Sequence, residues 1–130
     1  MEELFKKSES NYKSMNYLKE NGFLCTIPHC AYYSCFQLMI FLEGNDFEMK
    51  GGYGSHDKLI DFFITEIDRE DADSSIAFNN HIVSLKKSRT KADYKNWEVR
   101  DWEVERCIKS AAIVNNILKT TFSHLLQYDK

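Results

Sequence analysis

Arg89 stands where its surroundings ask for an apolar residue. Phe78, Ile82, Leu85, Arg89 and Ala92 follow one another at steps of four, three, four and three, the spacing of one stripe along an α-helix. A guanidinium on such a stripe loses its water and needs a partner, because an unpaired buried charge is very unfavourable. Asp93, at i+4, is the carboxylate one turn further on, and Tyr94 follows it directly. Arg also suits phosphate, since its planar fork donates in parallel to two oxygens. Lys86, Lys87 and Lys91 flank it, and Arg106 in the next helix adds to a local basic patch on a chain of net charge −3. Two readings stay open at this point: a structural Arg–Asp pair at a helix end, and a phosphate or nucleotide contact.

Other chemistries find less support. The four cysteines, Cys25, Cys30, Cys35 and Cys107, have no common zinc spacing and read as small buried hydrophobes in a reducing compartment. His29, His56, His81 and His124 form no His-x-x-x-His or His/Cys cluster, so no metal is expected, and no cofactor. His81 lies two turns before Arg89 and reads first as a satisfied or surface histidine. His56 reads as a capping or loop-anchoring residue in the first turn of its helix. No Gly-x-Ser-x-Gly or Cys–His signature points to a nucleophile. Gly51, Gly52 and Gly54 lack the preceding strand, the spacing and the following Lys of a phosphate-cradling loop.

The elements that must position Arg89 are helical throughout. The first segment runs from about Glu2 to Glu20, with Leu4, Phe5, Tyr12, Met15 and Leu18 on one side, and Asn21-Gly22 ends it. Phe23 and Leu24 are expected to pack under that turn. Thr26 caps the second segment and Pro28 sits in its first turn. Its apolar residues, from Ala31 to Leu42, cover most of the circumference, which makes this helix central. Glu43-Gly44-Asn45-Asp46 stops it, and Phe47 to Gly54 forms a loop. Ser55 caps the third helix, whose stripe is Leu59, Phe62, Phe63 and Ile67. An acidic turn from Arg69 to Ser75 leads to the fourth helix, from about Asp73 to Asn96. The fifth runs from about Asp101 to Gln127, with Val104, Cys107, Ala111, Val114 and Leu118 inward. The expected fold is all-α: an antiparallel four-helix bundle from segments two to five, with an additional N-terminal helix packed on or beside it.

Length and composition agree with one domain, residues 1–130. The 130 residues are 43% hydrophobic and 28% charged, with one Pro and five Gly; that is ordinary globular composition with too little punctuation for many short strands. A negative net charge excludes a global basic field, so any nucleic-acid site is local. Met1 to Lys7 opens no signal peptide, and the run from Cys35 to Leu42 is about half of the ~20 residues that span a bilayer. The expectation is a soluble, cytoplasmic chain with no membrane partner.

With these residues in place, a family resemblance can be stated. Ser88-Arg89-Thr90-Lys91-Ala92-Asp93-Tyr94 resembles the Arg-x-x-Ala-Asp-Tyr signature in the penultimate helix of HEPN (higher eukaryote and prokaryote nucleotide-binding) domains. Ala31-Tyr32-Tyr33-Ser34-Cys35-Phe36 resembles that family's small-Tyr-Tyr start of a central helix. Ser55-His56-Asp57-Lys58-Leu59-Ile60 is similar to its Ser/Thr-His segment, and Glu105 to Phe122 to its long last helix. The resemblance covers roughly Thr26 to Phe122.

It implies a HEPN-like antiparallel bundle, often a homodimer through the helices that carry the Arg, that binds nucleotide or RNA. It also implies, as a partner, a minimal nucleotidyltransferase in a toxin–antitoxin arrangement. The ligand-binding residues it assigns are Arg89, Asp93, Tyr94, Tyr32, Tyr33 and His56, and Arg89 and Tyr94 are the candidates for catalysis. In the family's ribonuclease branch, Arg is followed after four to six residues by His, which acts as acid or base while Arg stabilises charge on phosphate. Here the residue after four intervening positions is Tyr94, whose ordinary pKa near ~10 makes it a poor base at neutral pH. The expectation is therefore a nucleotide- or RNA-binding domain without efficient RNA cleavage. A metal-independent ribonuclease with a degenerate Arg/Tyr site and a dimerising interaction module without ligand remain the alternatives.

Overall fold

The computed structural model describes residues 2–46 and 56–129. Over them the chain is all-α: α1 (Glu2–Glu20), α2 (Ile27–Asp46), α3 (His56–Glu70), α4 (Ala72–Tyr94) and α5 (Asp101–Thr121), followed by a 3₁₀ segment, Ser123–Asp129. The expected Ser55 cap and the loop from Phe47 to Gly54 lie outside the described residues.

Local chemistry explains most of the boundaries. Gly22 takes φ +77°, and the amides of Phe23 and Gly22 return to the carbonyls of Leu18 and Lys19, the closing geometry that a left-handed glycine allows after a helix. Leu24 packs against the core beneath this turn. Phe23 does not, contrary to expectation: it is exposed, because the reversal turns neighbouring side chains to opposite sides. The carbonyl of Thr26 accepts from the Cys30 amide and opens α2, with Pro28 in the first turn.

The acidic turn expected from Arg69 to Ser75 is shorter. Asp71 alone separates α3 from α4, its carboxylate accepting from the Asp73 amide and the Ser74 hydroxyl. One strong N-cap lets α4 begin early. At its other end α5 stops at Thr121 rather than Gln127, and the chain tightens into the 3₁₀ segment that buries Leu125.

The packing order follows from α2, which touches all four other helices. Its Ile27, Ala31, Tyr32, Cys35, Leu38, Met39, Phe41 and Leu42 are buried around nearly the whole circumference, as expected of a helix at the centre. Helix α3 packs on α4, α4 on α5, and both α4 and α5 on α2; α1 lies mainly along α2. Cys30, Cys35 and Cys107 are buried, but Cys25 is exposed in the α1–α2 turn, where there is no core to receive it. A polar seam fixes the register of three helices. Ser8 donates to the Ser34 carbonyl, and Asn115 Nδ2 donates to the Ala111 carbonyl and to Ser34 Oγ. Among the described residues, no helix is long and apolar enough to cross a membrane.

Candidate functional site

Helix α4 presents Phe78, Ile82, Leu85 and Arg89 on one buried stripe, as its periodicity predicts, with Ala92 half-buried at the end. Arg89 is 8% exposed. Antiparallel packing sets the start of α2 against this end of α4. The guanidinium carbon therefore lies 5.2 Å from the Tyr32 ring centre, 5.5 Å from that of Tyr33 and 5.7 Å from that of Tyr94. These distances fall within the reach of cation–π attraction. Two of the rings come from α2, one turn into the helix. The third closes α4 itself and is 73% exposed.

The expected Arg89–Asp93 pair does not form. Asp93 Oδ2 lies 2.8 Å from Nδ1 of His29. The i+4 spacing places Asp93 near Arg89, but it also places it at the N-terminal turn of α2, where the unpaired amide end of the helix and His29 favour a carboxylate. Asp93 thus reaches Arg89 only indirectly: the His29 ring packs on Tyr33 at 4.6 Å between centres, and Tyr33 packs against the guanidinium. No carboxylate of the described residues pairs with Arg89, and its buried Nε has no hydrogen-bond partner among them.

His56 closes the wall from α3. Its Nδ1 shares a 2.8 Å hydrogen bond with the Tyr32 hydroxyl, and its ring stacks on Phe36 at 4.1 Å and lies parallel to Tyr32 at 5.7 Å. Burial lowers its pKa from the ordinary value, the Arg89 and Lys86 charges lower it further, and Asp57 opposes them, so the ring is neutral at pH 7. Burial raises the Tyr32 pKa while Arg89 pulls it back, which keeps that hydroxyl protonated. The site therefore combines a desolvated cation, a protonated phenol and a neutral imidazole.

The structure brings Arg89, Tyr32, Tyr33, Tyr94 and His56 together and places Asp93 one ring away. His29 escaped the sequence reading. Its only signal was its place in the first turn of α2, and that has meaning only once α4 is known to end beside it. His81 does not belong: its Nδ1 lies 2.9 Å from Ser110 Oγ on α5. Arg106 also points elsewhere, donating to Ser88 Oγ at 3.1 Å on the other flank of α4. Lys86 is paired with Asp57. The basic patch inferred from sequence is therefore divided between two sides of the helix. Among the described residues, no group of three or more His, Cys, Asp or Glu gathers as metal ligands do. Comparison with protein-family models, curated proteins and solved structures found no match.

Proposed function

We propose that this chain is a HEPN-like domain that binds a phosphate of a nucleotide or RNA at Arg89. The observation that carries the reading is a guanidinium 8% exposed with no carboxylate among the described residues and an unsatisfied Nε. A structural arginine this deep is ordinarily paired. A phosphate would supply the missing acceptors, and Tyr94, exposed beside the guanidinium, offers a ring for a base. The sequence resemblance supports the same choice of ligand, the homodimer through the Arg-bearing helices, and a minimal nucleotidyltransferase as partner. The test is titration of the protein with a short RNA and with a nucleoside triphosphate, each at two salt concentrations. Arg89→Ala should abolish binding of the nucleotide and weaken that of the RNA. Unchanged binding of the nucleotide by Arg89→Ala would overturn the reading.

A second reading, metal-independent RNA cleavage, draws support from one placement. His56 supplies from α3 a neutral imidazole next to Tyr32 and within the field of Arg89, in place of the histidine absent after Arg89 in sequence. The expected outcome is still slow or no cleavage, because Nδ1 is engaged and the ring is sandwiched in the aromatic wall. Incubation of RNA with the pure protein in a chelator checks this. Cleavage lost in both Arg89→Ala and His56→Gln would favour the second reading.

A further inference from the structure

The opposite flank of α4 carries a second cluster that the Arg89 site does not use. A cleft of about 280 Å³ between α4 and α5 is lined by Asn80, Val83, Ser84, Lys87, Ser88, Lys91 and Arg106. It contains three cations and no anion, on a chain whose net charge is −3. None of the three is paired with a carboxylate among the described residues. Arg106 is held over the cleft by its hydrogen bond to Ser88 Oγ.

Each of two lining cations also rests on a tryptophan. Lys91 Nζ lies 4.7 Å from the Trp97 ring centre, and the Arg106 guanidinium carbon lies 5.0 Å from that of Trp102. These are the only two tryptophans of the sequence, and they are 46% and 57% exposed. The Trp97 indole is fixed by donating from Nε1 to Glu103 Oε1 at 3.0 Å. Glu103 is itself buried and does not line the cleft. Large exposed indoles are unfavourable in water, and each of these rests against a cation that lines a cleft whose charged lining is wholly cationic, while Trp102 also lines the neighbouring hollow with Glu98, Arg100 and Asp101.

We infer that this face binds single-stranded nucleic acid, with a backbone phosphate in the Lys87–Lys91–Arg106 cleft and bases stacked on Trp97 and Trp102. A cationic groove that tracks the backbone, flanked by aromatic faces that take any base, is what sequence-tolerant strand binding requires. The hydroxyl of Ser84 and the amide of Asn80 add neutral donors for phosphate oxygens. Double-stranded nucleic acid would fit less well, because its bases are not free to stack on the indoles. The inference does not depend on ligand binding at Arg89.

The experiment reads the indoles directly. The full chain is titrated with a short oligouridylate while tryptophan emission is followed, at several salt concentrations. Saturable quenching is expected, with a salt slope set by the number of phosphates neutralised, about 0.7 per contact for a single strand. Arg106→Ala and Lys87→Ala should each weaken binding on the order of tenfold and reduce the slope by about 0.7. Lys109→Ala, the same charge change on α5 outside the cleft, should have a smaller effect. Trp102→Phe and Trp97→Phe should each leave part of the quench, which shows that both rings respond. The Arg89→Ala variant separates the two sites: quenching retained there and weakened in Arg106→Ala supports the cleft. Loss in Arg89→Ala with no change in Arg106→Ala would overturn it, as would the absence of quenching at low salt. Quenching by inorganic phosphate with none by the oligonucleotide would also overturn it, as would a response to duplex equal to that of the single strand.

Discussion

Replacing Arg89 by methionine, which keeps most of the side-chain volume, separates a structural arginine from a ligand-binding one. In the wild type the guanidinium makes three ring contacts at 5.2–5.7 Å. Each contributes about 0.5–1 kcal/mol at such distances, together about 1.5–3 kcal/mol. Against this stands the buried Nε without a partner, an unsatisfied donor that costs about 1–3 kcal/mol. The methionine thioether retains favourable contact with the same rings. The two ranges overlap, so Arg89→Met should change stability by no more than about 2 kcal/mol in either direction. For a domain of this size that is a shift in Tm of at most roughly 6–10 °C. An arginine held by a buried carboxylate behaves differently, because its removal strands the partner charge and destabilises by about 3–5 kcal/mol. Thermal melting followed by far-ultraviolet circular dichroism measures the change, and nucleotide binding is measured on the same samples. Preserved melting with lost binding is the expected result. A fall of ~15 °C or more with nucleotide binding intact would show that the arginine holds the fold together and that the phosphate reading is mistaken.

Three further outcomes follow from the same geometry. Asp93→Ala removes the partner of a His29 side chain that is 45% exposed, so it should lower stability by less than about 1 kcal/mol. A loss of several kcal/mol in urea unfolding would imply a buried role that the structure does not contain. His56 has a lowered pKa in the folded chain and an ordinary one, about 6.5, in the unfolded chain. The unfolded state therefore binds more protons as pH falls through about 6.5, and folding stability declines there until the folded ring also protonates. Comparison of wild type with His56→Gln across pH 5–8 should remove that part of the slope; identical slopes would refute the assignment. Sedimentation at tens of micromolar should show a dimer, and a purely monomeric profile would count against association through the Arg-bearing helices.

The bundle was legible because its signals are local and repeated. The Phe78–Ile82–Leu85–Arg89 stripe, the nearly all-apolar α2 and the Asn21-Gly22 stop each declare themselves within one or two turns. The site was legible in its members but not in their pairing. Asp93 sits at i+4 from Arg89, and helical spacing alone allows that pair. What diverts it is the start of α2, a contact across 64 positions of chain, and spacing within α4 carries no information about it. His56 could be read only as a helix-start residue, since its partners Tyr32 and Phe36 lie on another element. Trp97 and Trp102 carried no signal at all: neither falls on an apolar stripe, and the cations beneath them come from α4 and from one turn further along α5.

Among the described residues, two buried side-chain atoms, Asn115 Oδ1 and Arg89 Nε, have no hydrogen-bond partner, and their locations decide what that means. The Asn115 amide nitrogen already donates twice within the seam between α2 and α5. It is 4% exposed and enclosed by Ser34, Cys35 and Ala111, so its orphaned oxygen is a tolerated defect in a seam that fixes helix register. Arg89 differs in three respects. It carries a full charge, for which burial is far less favourable than for a neutral amide. Its neighbours are rings, which can attract a cation but cannot accept hydrogen bonds from all five of its donors. It also lies in the last turns of α4, beside a tyrosine that is 73% exposed. A neutral orphan inside the bundle needs only to be endured, whereas a charged one at its rim gains most when an anion arrives.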